Sequence, residues 1–270
     1  MTGPEITGRT AILFILGDPV VQIIGSAEMN RAFAGWGLDI AVSPLHVRPG
    51  DLADCLSLLR RTANVAGFSL TVPHKIAVVP LLDRLTDAAR LAGAVNFVRR
   101  EADGSLTGTN MDGAGFVQGL RDRGVDPAGQ SVLQIGAGGV ARAIAFGLAA
   151  AGAGRITLTN RTRPRAEALA ADMRAAFPDV DVTVCDGTPD LSRHSLVVNT
   201  TTVGMGDADA CPVDPQGLTD STVVADVILT PPVTRLLAVA AETGCRTVPG
   251  KAMLRPQARL VAEFLGMAPR

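Results

Sequence analysis

Tyrosine is absent from this chain, tryptophan occurs once and histidine three times. Without a phenol, proton transfer falls to lysine, histidine, aspartate or glutamate. The three histidines, His46, His74 and His194, show no metal-ligand spacing, and no metal site is expected. The four cysteines, Cys55, Cys185, Cys211 and Cys245, stand far apart with no C-x-x-C pair, which reads as reduced thiols in a cytoplasmic protein rather than a disulfide frame or zinc knot. Net charge is lacking too. The 25 basic and 26 acidic residues leave −1, so no broad field draws in nucleic acid or an anionic membrane surface. The one apolar run near the start, within MTGPEITGRTAILFIL, is too short to span a bilayer and carries no cleavage signal behind it. Small neutral partners or local anion sites fit better.

What is present is length and alternation. A chain of 270 residues lies near the size at which one core splits into two, so two domains are expected. The run 11–16 reads as a buried strand closed by Gly17-Asp18-Pro19, with Ser26 as the N-cap of a helix carrying Met29, Phe33 and Trp36. A strand over 38–45, a helix over 52–60 and a strand over 65–72 follow, then short helices over 75–82 and 87–92 and a strand pair turning at Asp103-Gly104. From Asp112 the pattern restarts with helix, strand, long alanine-rich helix and further alternation, closing with one helix over 251–265. The fold class expected is α/β: an N-terminal, mostly parallel α/β domain over 1–110 and a second α/β domain over 111–249.

The sharpest chemical signal is VLQIGAGGVARAIA, where Gly136-Ala137-Gly138-Gly139-Val140-Ala141 joins a strand to a helix. Gly136 permits the tight turn, Gly138 lets backbone approach a pyrophosphate, and Ala141 keeps the helix close to the strand. The next strand ends in Asn160-Arg161-Thr162-x-x-Arg165 instead of the acid that binds the ribose of NAD. Two guanidinium groups and a hydroxyl suit a 2'-phosphate, so NADP is the expected cofactor. Carbonyl reduction also needs a proton donor for the developing alkoxide, and Lys75 in SLTVPHKIAV is the candidate, with Asp112 holding its ammonium in place. Asn96, Gln257 and Thr71 offer amide or hydroxyl groups to substrate oxygens. His74 reads as docking its loop and Asp226 as tying down the segment VILTPP.

Nine segments standing in order resemble the shikimate/quinate dehydrogenase family over nearly the whole chain: GDPV at 17–20, LTVPHK at 70–75, GAVN at 93–96, GTNMDGAGF at 108–116, GAGGVARAI at 136–144, NRT at 160–162, NTTTVGM at 199–205, ADVILTPPVTRLL at 225–237 and GKAMLRPQ at 250–257. The resemblance implies NADP-linked interconversion of 3-dehydroshikimate and shikimate in the chorismate pathway of aromatic amino acid biosynthesis, with Lys75 and Asp112 as the catalytic pair. It implies that Asn96, Gln257 and Thr71 bind the ring and that Thr200, Met205, Val227 and Gly250 lie by the cofactor. It further implies that the domain over 1–110 binds the substrate, that the domain over 111–249 is a Rossmann domain for the cofactor, and that the last helix, about 250–268, returns to the first domain; a monomer or homodimer is expected. The chain departs from the family in one respect. Members that bind shikimate carry a Ser-x-Ser whose hydroxyls hold the carboxylate, and those positions fall here at Ile23 and Gly25, while Ile228 replaces a tyrosine. Gln22 and Ser26 are the substitutes within reach in sequence. A dehydrogenase for quinate or for a carboxylate-free cyclic polyol is therefore the alternative, and a non-catalytic NADP-binding sensor is a further one.

Overall fold

The computed structural model describes residues 6–21, 23 and 25–267. The chain divides into two units, the first running to Met111 and taking in the chain again from Gln257, the second being Asp112–Pro256. In the first unit β1 is Ala11–Gly17, α1 Gly25–Gly35, β2 Ile40–His46, α2 Leu52–Arg61, β3 Val65–Leu70, α3 His74–Ala77, β4 Arg84–Leu85, α4 Asp87–Ala92, β5 Phe97–Arg100 and β6 Leu106–Thr109. Its six strands lie in the order β2-β1-β3-β5-β6-β4. The sheet is mixed: β1 pairs parallel with β2 and β3, and β4 parallel with β6, but β5 runs antiparallel to both β3 and β6.

The apolar run of β1 is continuous because both faces of this sheet are covered. Leu13 and Ile15 share one core with Met29 and Phe33 of α1, and Leu16 shares the other with Leu52, Leu56 and Leu59 of α2. Burying each such side chain contributes about 1.5–3 kcal/mol. The outer edge of β2 is closed by Asn30, whose Nδ2 donates to Val42 O at 2.8 Å while its Oδ1 accepts from Val42 N at 2.8 Å. That amide satisfies two backbone groups on an edge strand.

The second unit contains α5 Asp112–Arg121, β7 Ser131–Ile135, α6 Gly139–Ala150, β8 Arg155–Thr159, α7 Arg163–Ala176, β9 Asp181–Val184, β10 Leu196–Asn199, β11 Val223–Asp226, α8 Arg235–Glu242, β12 Arg246–Val248 and α9 Lys251–Leu254. Its sheet, β12-β11-β10-β7-β8-β9, is parallel throughout. From β7 the chain steps outward through β8 to β9, then returns across β7 to β10. That reversal creates a crevice between β7 and β10 at their carboxyl ends. Among the described residues no helix is long and apolar enough to cross a membrane, and all four cysteines are unbridged.

Two expected helices differ. The one expected over 75–82 is α3 followed by a 3-10 turn, Val79–Leu81, because Pro80 supplies no N–H to continue an α-helical ladder. The closing helix expected over 251–265 is broken at Pro256 for the same reason, into α9 in the second unit and α10, Gln257–Phe264, in the first. Val261 and Ala262 of α10 join the core beneath α1. The return to the first unit is made by α10 alone.

Candidate active site

In the first unit the reversal of strand order falls between β1 and β3, since β2 lies on one side of β1 and β3 on the other. The loops after these two strands flank the crevice that such a reversal opens. Thr71 N donates to Leu16 O at 3.0 Å and Asp18 N to Val72 O at 3.1 Å, so the two loops are tied to each other. A Cβ on Gly17 would stand 2.6 Å from Thr71 Cγ2 and 3.7 Å from Ile23 Cδ1. Two hydrocarbon groups therefore converge over Gly17, and Ile23 is half-buried there. Gly25 opens α1 with no atom within 4 Å of where a Cβ would be. Ser26 lies inside the first turn of α1 rather than capping it, because the helix begins one residue earlier. Gln22 lies outside the described residues.

Register brings Asn96 to the same edge. Ser69 pairs with Phe97 and Phe97 with Thr109, which puts the start of β5 and the end of β6 beside the end of β3. Asn96 is 3% exposed, and its Oδ1 accepts from Met111 N at 2.9 Å. Lys75 follows on α3, half-buried, with its carbonyl accepting from Val95 N at 2.8 Å. The preceding His74 is buried and donates from Nε2 to Val47 O at 2.7 Å. A ring held on a backbone carbonyl locks α3 and the lysine it carries. Gln257 is buried as the first residue of α10. At the mouth of the same loops, Asp18 Oδ1 and His46 Nε2 lie 2.7 Å apart.

In the second unit Asp112 opens α5 and is 4% exposed. Gly136 has φ +115°, and a Cβ there would meet Thr200 Oγ1 at 2.5 Å, so only glycine fits the crevice floor. Thr200 Oγ1 donates to Ile135 O at 2.6 Å. Gly138 and Gly139 have open space where a Cβ would be, Gly138 caps α6 with no side-chain hydrogen bond, and Ala141 is fully buried. This turn leaves the N–H groups of Gly139 and Val140 at a helix start with no capping side chain. Such an end suits a pyrophosphate.

A cavity of about 640 Å³ lies beside this turn, lined by Asn160, Arg161, Thr162, Arg165, Thr188, Thr201, Thr202, Cys211 and Asp214 among others. Asn160 donates from Nδ2 to Thr162 O at 2.8 Å and shapes the turn after β8. Arg163 is committed to Glu167 at 2.7 Å and to Asp186 at 2.5 Å. Arg161 and Arg165 line the cavity, and neither has a side-chain hydrogen bond or ion pair among the described residues. The donor set fits a nucleotide 2'-phosphate.

Asp226 is 1% exposed, and burial pushes its carboxyl above the ordinary carboxylate range, opposed by hydrogen bonds. Its Oδ1 accepts from Ile228 N at 2.9 Å, and its Oδ2 from Thr234 Oγ1 at 2.8 Å and Asn199 Nδ2 at 3.1 Å. Asn199 Oδ1 in turn accepts from Thr201 N and Thr201 Oγ1. The pair thereby fixes the loops after β10 and β11. Replacing Asp226 with alanine orphans three donors and lowers stability by about 2–5 kcal/mol, read as a fall in the thermal midpoint. Because the folded pKa is raised, the native state binds more protons between the ordinary and the raised value, and this group's contribution to stability falls as pH rises through that window. Asp226→Ala removes that slope.

Met205 is 52% exposed, Val227 is half-buried, and a Cβ on Gly250 would lie 2.3 Å from Ile228 O, so two backbone segments pass in contact. Ile228 is 2% exposed, and its Cδ1 packs toward Gly204. Asn199 and the threonines 188, 201 and 202 escaped the reading of the sequence as site residues. For Asn199 the signal was a polar residue ending the apolar run LVVN.

Comparison with known proteins decides what this arrangement belongs to. A family model described as shikimate dehydrogenase substrate binding domain matches residues 15–98, and one described as shikimate / quinate 5-dehydrogenase matches 121–186. A shikimate dehydrogenase (NADP(+)) of Geobacter metallireducens is 40% identical over 274 residues, covering 98% of this chain and 94% of that protein. The chain belongs to the shikimate/quinate dehydrogenase family. It is an NADP-dependent dehydrogenase acting on a CH–OH group. Among solved members, the shikimate 5-dehydrogenase of Listeria monocytogenes in complex with shikimate and NAD superposes with a TM-score of 0.91 at 30% identity, covering 98% of this chain and 94% of that one. The 5-ketofructose reductase of a Gluconobacter strain superposes with a TM-score of 0.89 at 36% identity, covering 98% and 96%. In this family setting the first unit is the substrate domain and the second the Rossmann-like cofactor domain.

Proposed function

We propose that this dehydrogenase moves a hydride reversibly between NADPH and the ketone of 3-dehydroshikimate or a related cyclic keto-polyol. Lys75 gives its proton to the oxygen on which negative charge develops, and Asp112 supports the ammonium form by its opposite charge. Asn96, Thr71 and Gln257 bind ring hydroxyls, and the residue types suit that task because amides and hydroxyls both donate and accept. The glycine turn at 136–141 holds the pyrophosphate, and Arg161, Thr162 and Arg165 hold the 2'-phosphate. NADPH supplies the hydride when bound. Thr200, Met205, Val227 and Gly250 are assigned to the nicotinamide side by the family resemblance. The enzyme acts in the cytoplasm, as a monomer or homodimer, with no nucleic-acid or membrane partner.

One observation carries the reading. Thr71, Lys75 and Asn96 lie at the strand edge where the order of the first sheet reverses, the place at which α/β sheets take their ligands. The 5-ketofructose reductase among the solved relatives is named for an uncharged sugar, so the ring class includes substrates without a carboxylate. Initial-rate oxidation of cyclic polyols with NADP and with NAD tests the proposal. NADP-linked turnover is expected, and tight NADP binding with no turnover on any ring would make the protein a sensor instead.

A further inference from the structure

The crevice of the first unit is apolar where a substrate would meet its floor. Ile23 Cδ1 and the Thr71 methyl converge over Gly17, and the described side chains of the loop from Gly17 to Ser26 include one hydroxyl, Ser26. The charge fixed on that loop is negative, Asp18, engaged with His46 at 2.7 Å. A carboxylate entering here would shed water against hydrocarbon and face a like charge, and both effects penalise it. Lys75, on the short helix that follows Thr71, is on the proposed mechanism occupied with the reacting oxygen. The hydroxyl and amide groups of Thr71, Asn96 and Gln257 suit an uncharged polyol instead.

We infer that the ring taken by this site carries no carboxylate, and that Ile23 and Gly25 are the residues that set this preference. The inference rests on the dehydrogenase reading above and narrows its substrate class. If two charge-assisted hydrogen bonds are missing, a carboxylate loses about two to four orders of magnitude in binding relative to a site that supplies them. Gly25 has open space around its Cβ position and a φ that any residue adopts, so a serine fits there without strain.

The experiment compares NADP-linked oxidation of three rings: shikimate, its primary carboxamide, and the cyclohexenetriol lacking the substituent. Wild-type kcat/KM is expected to be at least about 100-fold higher on the better neutral ring than on shikimate. In the double variant Ile23→Ser, Gly25→Ser the shikimate value is expected to rise about 10- to 100-fold, while KM for NADP stays unchanged. Wild-type preference for shikimate over both neutral rings would overturn this inference and leave the dehydrogenase proposal standing. Turnover of none of the three, with NADP bound, would overturn both.

Discussion

Lys75→Ala lowers kcat about 10²–10⁴-fold while the Kd for NADP stays within about twofold. The proton that neutralises the forming alkoxide then has no positioned donor, and general acid catalysis of this kind accounts for that range. The backbone around the residue does not depend on the side chain: His74 holds Val47 O, His74 N bonds Thr71 O, and Val95 N bonds Lys75 O. The variant therefore keeps its fold, and its thermal midpoint stays close to that of the parent. Steady-state kinetics with a parallel fluorescence titration of NADPH separates the two quantities. A kcat within fivefold of wild type would remove Lys75 from the chemistry.

The double variant Arg161→Ala, Arg165→Ala weakens NADP binding about 10²–10³-fold and leaves NAD binding nearly unchanged. Each guanidinium makes a charge-assisted hydrogen bond worth about 1.5–3 kcal/mol, discounted here because both residues stand exposed at the cavity rim. NAD has nothing at the 2' position for them to hold. Arg163→Ala is the internal control, since that side chain is spent on Glu167 and Asp186 and does not line the cavity. Equal losses for both nucleotides, or an equal effect of Arg163→Ala, would dissociate this cluster from cofactor choice. Raising salt reduces the NADP advantage of the parent enzyme and barely alters that of the double variant.

The second sheet was legible as a run of alternating strands and helices because its signals are local. A buried run, a glycine turn and an alanine-rich helix specify a βαβ unit within 30 residues, and the turn chemistry of Gly136 is a property of its own backbone. The first sheet was less so. That β5 runs antiparallel beside β3 depends on pairing partners about 30 residues apart, and apolar periodicity is the same for a strand in either direction. The closing helix misled for a different reason: Lys251–Leu254 and Gln257–Phe264 share one helical pattern, and the break at Pro256 sends them to different units.

The site shows the same division. Two arginines after β8 announce a phosphate, but that Arg163 is consumed by neighbours while Arg161 and Arg165 stay unpaired among the described residues is a fact of side-chain placement. Likewise Ile23 is visible as an apolar residue where a hydroxyl was expected. Its convergence with Thr71 over Gly17 arises only because strand order reverses between β1 and β3. By itself, then, the sequence determined the family, the dinucleotide turn and the identity of the acid–base candidates, since each is carried by contiguous residues. Tertiary structure alone decided which charges are left unpaired and which loops share a crevice, because those depend on contacts between segments far apart in the chain.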